Sequence, residues 1–256
     1  VLKMRHIHPG SFPRTCCLVP PLTPGASNDA NFAVRRNTGM TGRFERHERM
    51  TDSWTTAAQS RREFADLIEG LTEDQLQAPS LCSGWTVQDV AGHVVSFVEM
   101  SLPTLMFSMV KGGFNPDKAW KANAAKYGAQ PIAGIVTKLR KHAAKPSAMK
   151  SFPPELTTTD MAVHAQDVRR ALAVPATPSD EVLLEALTFC TTHKKEKMQV
   201  PTDHIAGLRL EATDLDWSWG EGKVVSGPAE AILMGINRRD TRSELTGDGV
   251  PDLPTT

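Results

Sequence analysis

A chain of 256 residues with 29 Lys or Arg against 29 Asp or Glu carries no formal net charge, and no basic run is interleaved with aromatics; nothing favours nucleic acid as a partner. No apolar run reaches the roughly 20 residues that a bilayer span needs. The length suits one large domain or two modest ones with ample core.

Residues 1–49 hold eight Lys or Arg against three Asp or Glu, with PGSFP, VPPLTPG and RRNTGMTGR, and show neither helical nor strand periodicity. Such a segment buries too little apolar surface to offset its chain entropy, so a disordered extension is expected. Its Arg-rich character fits a transit peptide, Arg35-Arg36 a twin-arginine signal, and Met40 or Met50 a later translation start. With no apolar h-region and no amphipathic helix, the last reading is preferred. The cysteines form neither a zinc-ribbon spacing nor a disulfide framework, since Cys16 and Cys17 are adjacent while Cys82 and Cys190 stand far apart. A cytoplasmic protein is expected.

Helical signals begin after Met50. Asp52 or Ser53 can cap a helix to about Glu69, with Trp54, Ala57, Ala58, Phe64, Ala65 and Ile68 as its apolar positions, and Gly70 stops it. LTEDQLQAPSLCSGW reads as a short helix and a loop. Thr86, with Asp89 three residues on, caps the next helix. Its stripe is Val90, Val94, Phe97 and Leu105, and Val90 to Val110 reads as one buried helix kinked at Pro103. Further helices are expected over Ile132 to His142 and Thr158 to Leu172, ending before Pro175. Four helices joined by connections of mixed length make a bundle.

A fifth helix is expected over Ser179 to Lys197, after which the period changes. Leu208, Leu210 and Ala212 alternate with Arg209, Glu211 and Thr213 as in a half-buried strand. Gly220-Glu221-Gly222 is a turn, Trp217 and Trp219 share a strand face that packs on a helix, and Ser226 and Pro228 open a last helix through Ile236. The expected class is α+β: a bundle over residues 50–174 and a small α/β unit over 175–256.

Three side chains carry the chemistry. Asp160 and His164 are four apart and stack on one helix face, and bundle packing can bring His93 opposite them. Two imidazoles and a carboxylate can hold a metal ion and leave a coordination position open, as catalytic sites do. Spacing alone leaves this about even with an i,i+4 salt bridge, and a lone His93 would more often be a hydrogen-bonded core residue. Asp167 is either the carboxylate that fixes the His164 tautomer or a partner for Arg170. Cys82 reads as a buried, inert thiol; His142, His193 and His204 as surface residues; Arg238 and Arg239 as charges suited to a helix C-terminus.

The stretches LCSGWTVQDVAGHV (81–94), TDMAVHAQDVRRAL (159–172) and GLRLEATDLDWSWGEGKVVSGPAEAILMGI with ELTGDGV resemble the mycothiol-dependent maleylpyruvate isomerase family over nearly everything from Met50 on. That resemblance implies a DinB-like metal-binding four-helix bundle followed by a sterol-carrier-like C-terminal domain. It implies a metal triad of His93, Asp160 and His164, with Asp160 where some members carry glutamate. It also implies zinc or another divalent ion, the thiol mycothiol, and a catalytic arginine most nearly matched by Arg239. The activity it implies is thiol activation as a metal-bound thiolate, for S-transfer to a small electrophile or for its cis–trans isomerisation. The expected partners are that electrophile and the low-molecular-weight thiol, with no membrane and no nucleic acid, in a monomer or homodimer. The rival reading is a non-catalytic module that binds a metal or a small apolar ligand.

Overall fold

The computed structural model describes residues 42–144, 153–192, 194–195, 198–199 and 203–255. Most of the expected N-terminal extension, and His193, lie outside them. Nine α-helices are described: α1 (Gly42–Glu69), α2 (Glu73–Gln77), α3 (Val87–Glu99), α4 (Leu102–Lys111), α5 (Pro116–Gly128), α6 (Ile132–Lys141), α7 (Pro154–Ala171), α8 (Asp180–Thr192) and α9 (Ala229–Ile236). Five strands accompany them: β1 (Lys194–Lys195), β2 (Met198–Gln199), β3 (Leu208–Ala212), β4 (Ser218–Trp219) and β5 (Lys223–Gly227). The class is α+β, and no helix among the described residues is long and apolar enough to cross a membrane.

Local chemistry sets the ends of the helices that matter here. Thr86 and Asp89 form a reciprocal capping box at the start of α3. Proline stands in the first turn of α7, where its missing N–H costs nothing, and Arg169 and Arg170 fall in the last turn, complementing the dipole. Thr72 and Gln75 repeat the capping box at α2.

Several boundaries differ from expectation. Helix α1 begins at Gly42, well ahead of Asp52. The stretch from Val90 to Val110 is two helices rather than one kinked helix: Met100 is extended, Ser101 caps α4 through the Thr104 N–H, and Pro103 sits in the first turn, where it starts a helix instead of bending one. Helix α4 is also largely solvated, with Met106, Phe107 and Val110 at least half exposed. Helix α5 was not expected at all, because its buried face consists of Ala119, Trp120, Asn123 and Ala124, mostly small residues with little hydrophobic contrast. The fifth helix stops at Thr192, short of Lys197.

Two hydrophobic cores result. One is built by Phe64, Ile68, Trp85, Val90, Val94, Trp120, Ile135 and Leu139 with Met161, Ala165 and Val168 of α7. The other joins Ala162 and Val163 on the opposite side of α7 to Leu183 and Leu187 of α8, Leu210 and Val225 of the sheet, and Ile232 and Leu233 of α9. Helix α7 is therefore shared by both cores, and its stretch from Thr158 to Val168 is buried throughout.

The three-stranded sheet has the order β4-β3-β5, with β4 antiparallel and β5 parallel to β3. Leu210 sits opposite both Trp219 and Val225. The strand phase read from Leu208 and Leu210 holds, since both are buried and Arg209 between them is exposed. The turn at Gly220 and Gly222 needs glycine. Both have positive φ, and a Cβ on Gly222 would lie 2.1 Å from the Gly207 carbonyl oxygen.

Candidate metal centre

Helix α3 presents His93 and helix α7 presents Asp160, His164 and Asp167, all buried. His93 and His164 meet edge to face, with ring centroids 4.9 Å apart. One Asp160 oxygen lies 3.5 Å from His164 Nε2 and 3.8 Å from His93 Nε2. Both Asp160 oxygens and His164 Nε2 are buried with no hydrogen-bond partner. Orphaned polar atoms this deep are costly unless a further group satisfies them. Donor atoms around a single divalent ion, each about 2.0–2.2 Å from it, stand roughly 3–3.5 Å apart, close to the separations found. The residues therefore fit a metal ion. Burial alone would raise the Asp160 carboxyl, but its interactions with His164 and His93 outweigh it and hold it below the ordinary carboxylate range.

Behind the triad, His164 Nδ1 lies 2.9 Å from an Asp167 oxygen. That carboxyl is kept below its usual range because the Arg239 guanidinium and His164 outweigh its burial. An ionised carboxylate only accepts, so the tautomer this contact favours has its proton on Nδ1 and a lone pair at Nε2. Of the two roles open to Asp167, the structure selects this one; Arg170 bonds Glu230 and Glu244 instead. Arg239 departs from a mere helix-end charge, since Nε and Nη2 donate to the two Asp167 oxygens at 2.8 and 2.6 Å.

The LCSGW loop has a structural purpose that its sequence did not reveal. The Leu81 N–H donates to the Asp167 carbonyl at 3.2 Å. Cys82 Sγ then rests 3.0 Å from Asp167 Oδ2 and 3.6 Å from His164 Nδ1. Gly84 turns the chain at a φ of 76°, and Trp85 packs on His93 at 5.1 Å between centroids. Cys82 is thus buried as expected but belongs to the site. Cys82, His164 and Asp167 also lie within metal-ligand reach of one another. An ion among them would compete with the His164–Asp167 bond and face the Arg239 guanidinium, so the trio reads as support for His164.

Trp120 of α5 and Phe97 stack at 5.0 Å and close over His93. Neither α5 nor Trp120 could be assigned to the site without knowing how α3 and α5 pack. Beside Asp160 a cleft opens between Arg61, Phe97, Val98, Leu156, Thr157 and Met161. Arg61 is 1 % exposed, donates to the Ala143 carbonyl at 2.9 Å, and is pushed down to about 10 by burial. The expected surface histidines His142 and His204 are half-buried, and His204 Nε2 is 2.8 Å from the Ile236 carbonyl.

Fold and site together define a class: a helical bundle holding a buried, metal-capable pair of histidines and an aspartate, continued by a small α/β unit. The model of the mycothiol maleylpyruvate isomerase N-terminal domain matches residues 57–193, and the chain belongs to that family. Among solved structures, the mycothiol-dependent maleylpyruvate isomerase and a point mutant of it each align at 16% identity with a TM-score of 0.49, over 81% of this chain and 97% of theirs. No curated protein matches the sequence.

Proposed function

We propose that the chain is a metal-dependent, mycothiol-using enzyme in which His93, Asp160 and His164 hold one divalent ion, with zinc the first candidate. The single observation that carries the metal reading is the set of buried, unpartnered acceptor atoms on Asp160 and His164, which face one another and His93 Nε2. Family membership supplies the thiol. An ion bound by three protein ligands would supply positive charge that favours thiolate over thiol near neutral pH.

The chain's own residues do the rest. Asp167 holds the Nδ1 proton of His164 and so keeps Nε2 available to a ligand. Trp85, Phe97 and Trp120 exclude water from the His93 side. The cleft beside Asp160 is no roomier than a single water molecule requires, so a second substrate would have to widen it to enter, and the Arg61 guanidinium on its wall would favour an anionic one. The nucleophilic thiolate would add to an electrophilic carbon of that second substrate. Expulsion of the same thiolate after bond rotation would give isomerisation, and protonation of the adduct followed by its release would give S-transfer. Arg239 belongs to this machinery through its bond to Asp167. The same proposal includes a cytoplasmic protein, monomeric or homodimeric, divided into a bundle over 50–174 and a C-terminal unit over 175–256, with α7 lending Ala162 and Val163 to the second core.

The test is turnover of maleylpyruvate and of generic electrophiles by the metal-loaded protein, with and without mycothiol. Thiol-dependent turnover abolished by His164→Ala is the expected result. A protein that takes up no divalent ion, or turns over no electrophile with the thiol present, refutes the enzyme and leaves the binding module as the better reading.

A further inference from the structure

Among the described residues, an ion pair between Arg239 and Asp167 links the C-terminal unit to the candidate centre. Helix α9 ends at Ile236, and Arg238 then takes a left-handed conformation at a φ of 69°, uncommon for a residue with a side chain. This turn is closed by the Arg239 N–H on the Met234 carbonyl at 3.0 Å. It brings the Arg239 side chain back onto α7, where Nη1 donates to the Asn237 carbonyl at 2.7 Å and the rest of the fork faces Asp167. Asp167 has no solvent exposure and the Arg239 side chain only 12%. A guanidinium that meets both oxygens of a carboxylate fixes the plane of that carboxylate, which a single-point ammonium cannot do.

We propose that Arg239 is a positioning residue for the candidate centre: by fixing the Asp167 carboxylate it fixes the orientation and tautomer of His164, so that the C-terminal unit sets the geometry of a ligand carried by α7. The role rests on the metal reading above. One Asp167 oxygen serves both Arg239 Nη2 and His164 Nδ1. A tilt of the carboxylate therefore swings the imidazole, and the metal-facing Nε2 moves with it.

A second clamp joins the same two parts of the chain and provides the control. Arg170, one turn further along α7, bonds Glu230 of α9 and Glu244, and Gln166 donates to Glu230 at 2.9 Å. Its members Glu230, Glu244 and Gln166 are neither candidate ligands nor bonded to Asp167 in the clamp. If Arg239 served only to dock the C-terminal unit, losing either clamp would have the same effect on metal binding.

The experiment uses the full chain stripped of metal and titrated with Co²⁺ against a chromophoric chelator, with the visible cobalt spectrum recorded at saturation. Arg239→Ala should weaken cobalt binding by roughly 10–100-fold, the usual loss when the group supporting a metal-bound histidine is removed, and should alter the spectrum. Arg239→Lys, which keeps the charge and loses the fork, should fall between it and wild type, and it carries the test if the alanine variant does not fold. Arg170→Ala should leave affinity and spectrum unchanged while lowering the melting temperature. Wild-type affinity in both Arg239 variants, or an equal loss in Arg170→Ala, overturns the positioning role while the centre stands. A wild-type chain that binds no cobalt overturns the centre and this role together.

Discussion

Gly92, the residue before His93, packs directly on the backbone of α5, and replacing it with alanine tests whether that contact sets the site. A Cβ there would lie 2.3 Å from the Ala124 carbonyl oxygen, 2.3 Å from the Gly128 nitrogen and 2.6 Å from the Gly128 Cα. All three are backbone atoms, so no side chain can swing aside. Restoring ordinary contact requires the helices to part by about 1 Å, enough to lose much of the dispersion contact along the seam. Overpacking of this kind costs about 1–3 kcal/mol, and rigid backbone on both sides puts Gly92→Ala at or above the upper end. Alanine returns about 1 kcal/mol of helix propensity, leaving a net loss of about 2 kcal/mol. For a chain of this size that lowers the melting temperature by about 4–8 °C. Gly134 in α6 is the matched control, because a Cβ there meets nothing within 4 Å; Gly134→Ala should melt at or slightly above wild type. Thermal denaturation followed by circular dichroism reads both. A Gly92→Ala protein as stable as wild type would refute the packing argument, and with it the view that this close approach holds His93 in register.

Loss of two of the three proposed ligands in a His93→Ala, His164→Ala double variant should abolish stoichiometric metal in the purified protein, checked by elemental analysis; metal retained at wild-type levels would rule the triad out. Glu185 on α8, raised to about 7 chiefly by burial and held by the Thr158 hydroxyl at 2.9 Å, should make stability pH-dependent. The folded carboxyl binds its proton up to near pH 7 and the unfolded one only to about 4.3, so its contribution is full below that value and is lost as pH rises through 7. Glu185→Gln should therefore melt higher than wild type at pH 8, with the gap closing towards pH 5; a gap that does not vary with pH would contradict this. Arg140 pairs with Asp66 and Glu69 in solvent, and Arg140→Ala should leave the urea midpoint close to that of wild type; a large drop would contradict this.

What the sequence determined by itself was local. The Thr86–Asp89 capping box, the start of α6 at Ile132, the strand phase at Leu208 and Leu210, and the stacking of Asp160 under His164 all depend on residues within a few positions of one another. Backbone geometry alone converts such spacings into structure. Helix α5 stayed hidden because a face of alanines, one asparagine and one tryptophan gives little periodic contrast, although two glycines let it pack directly against the backbone of α3. The break at Met100 is not legible because a proline inside an apolar run looks the same whether it bends one helix or opens another. Tertiary structure decided whether His93 faces Asp160 and His164, and whether Arg239 reaches Asp167 or stays at its own helix end. Those meetings join residues far apart in the chain, and no spacing encodes them. They follow from how closely α3 can lie on α5, from the burial of α7 between two cores, and from the left-handed turn that folds Arg239 back onto α7.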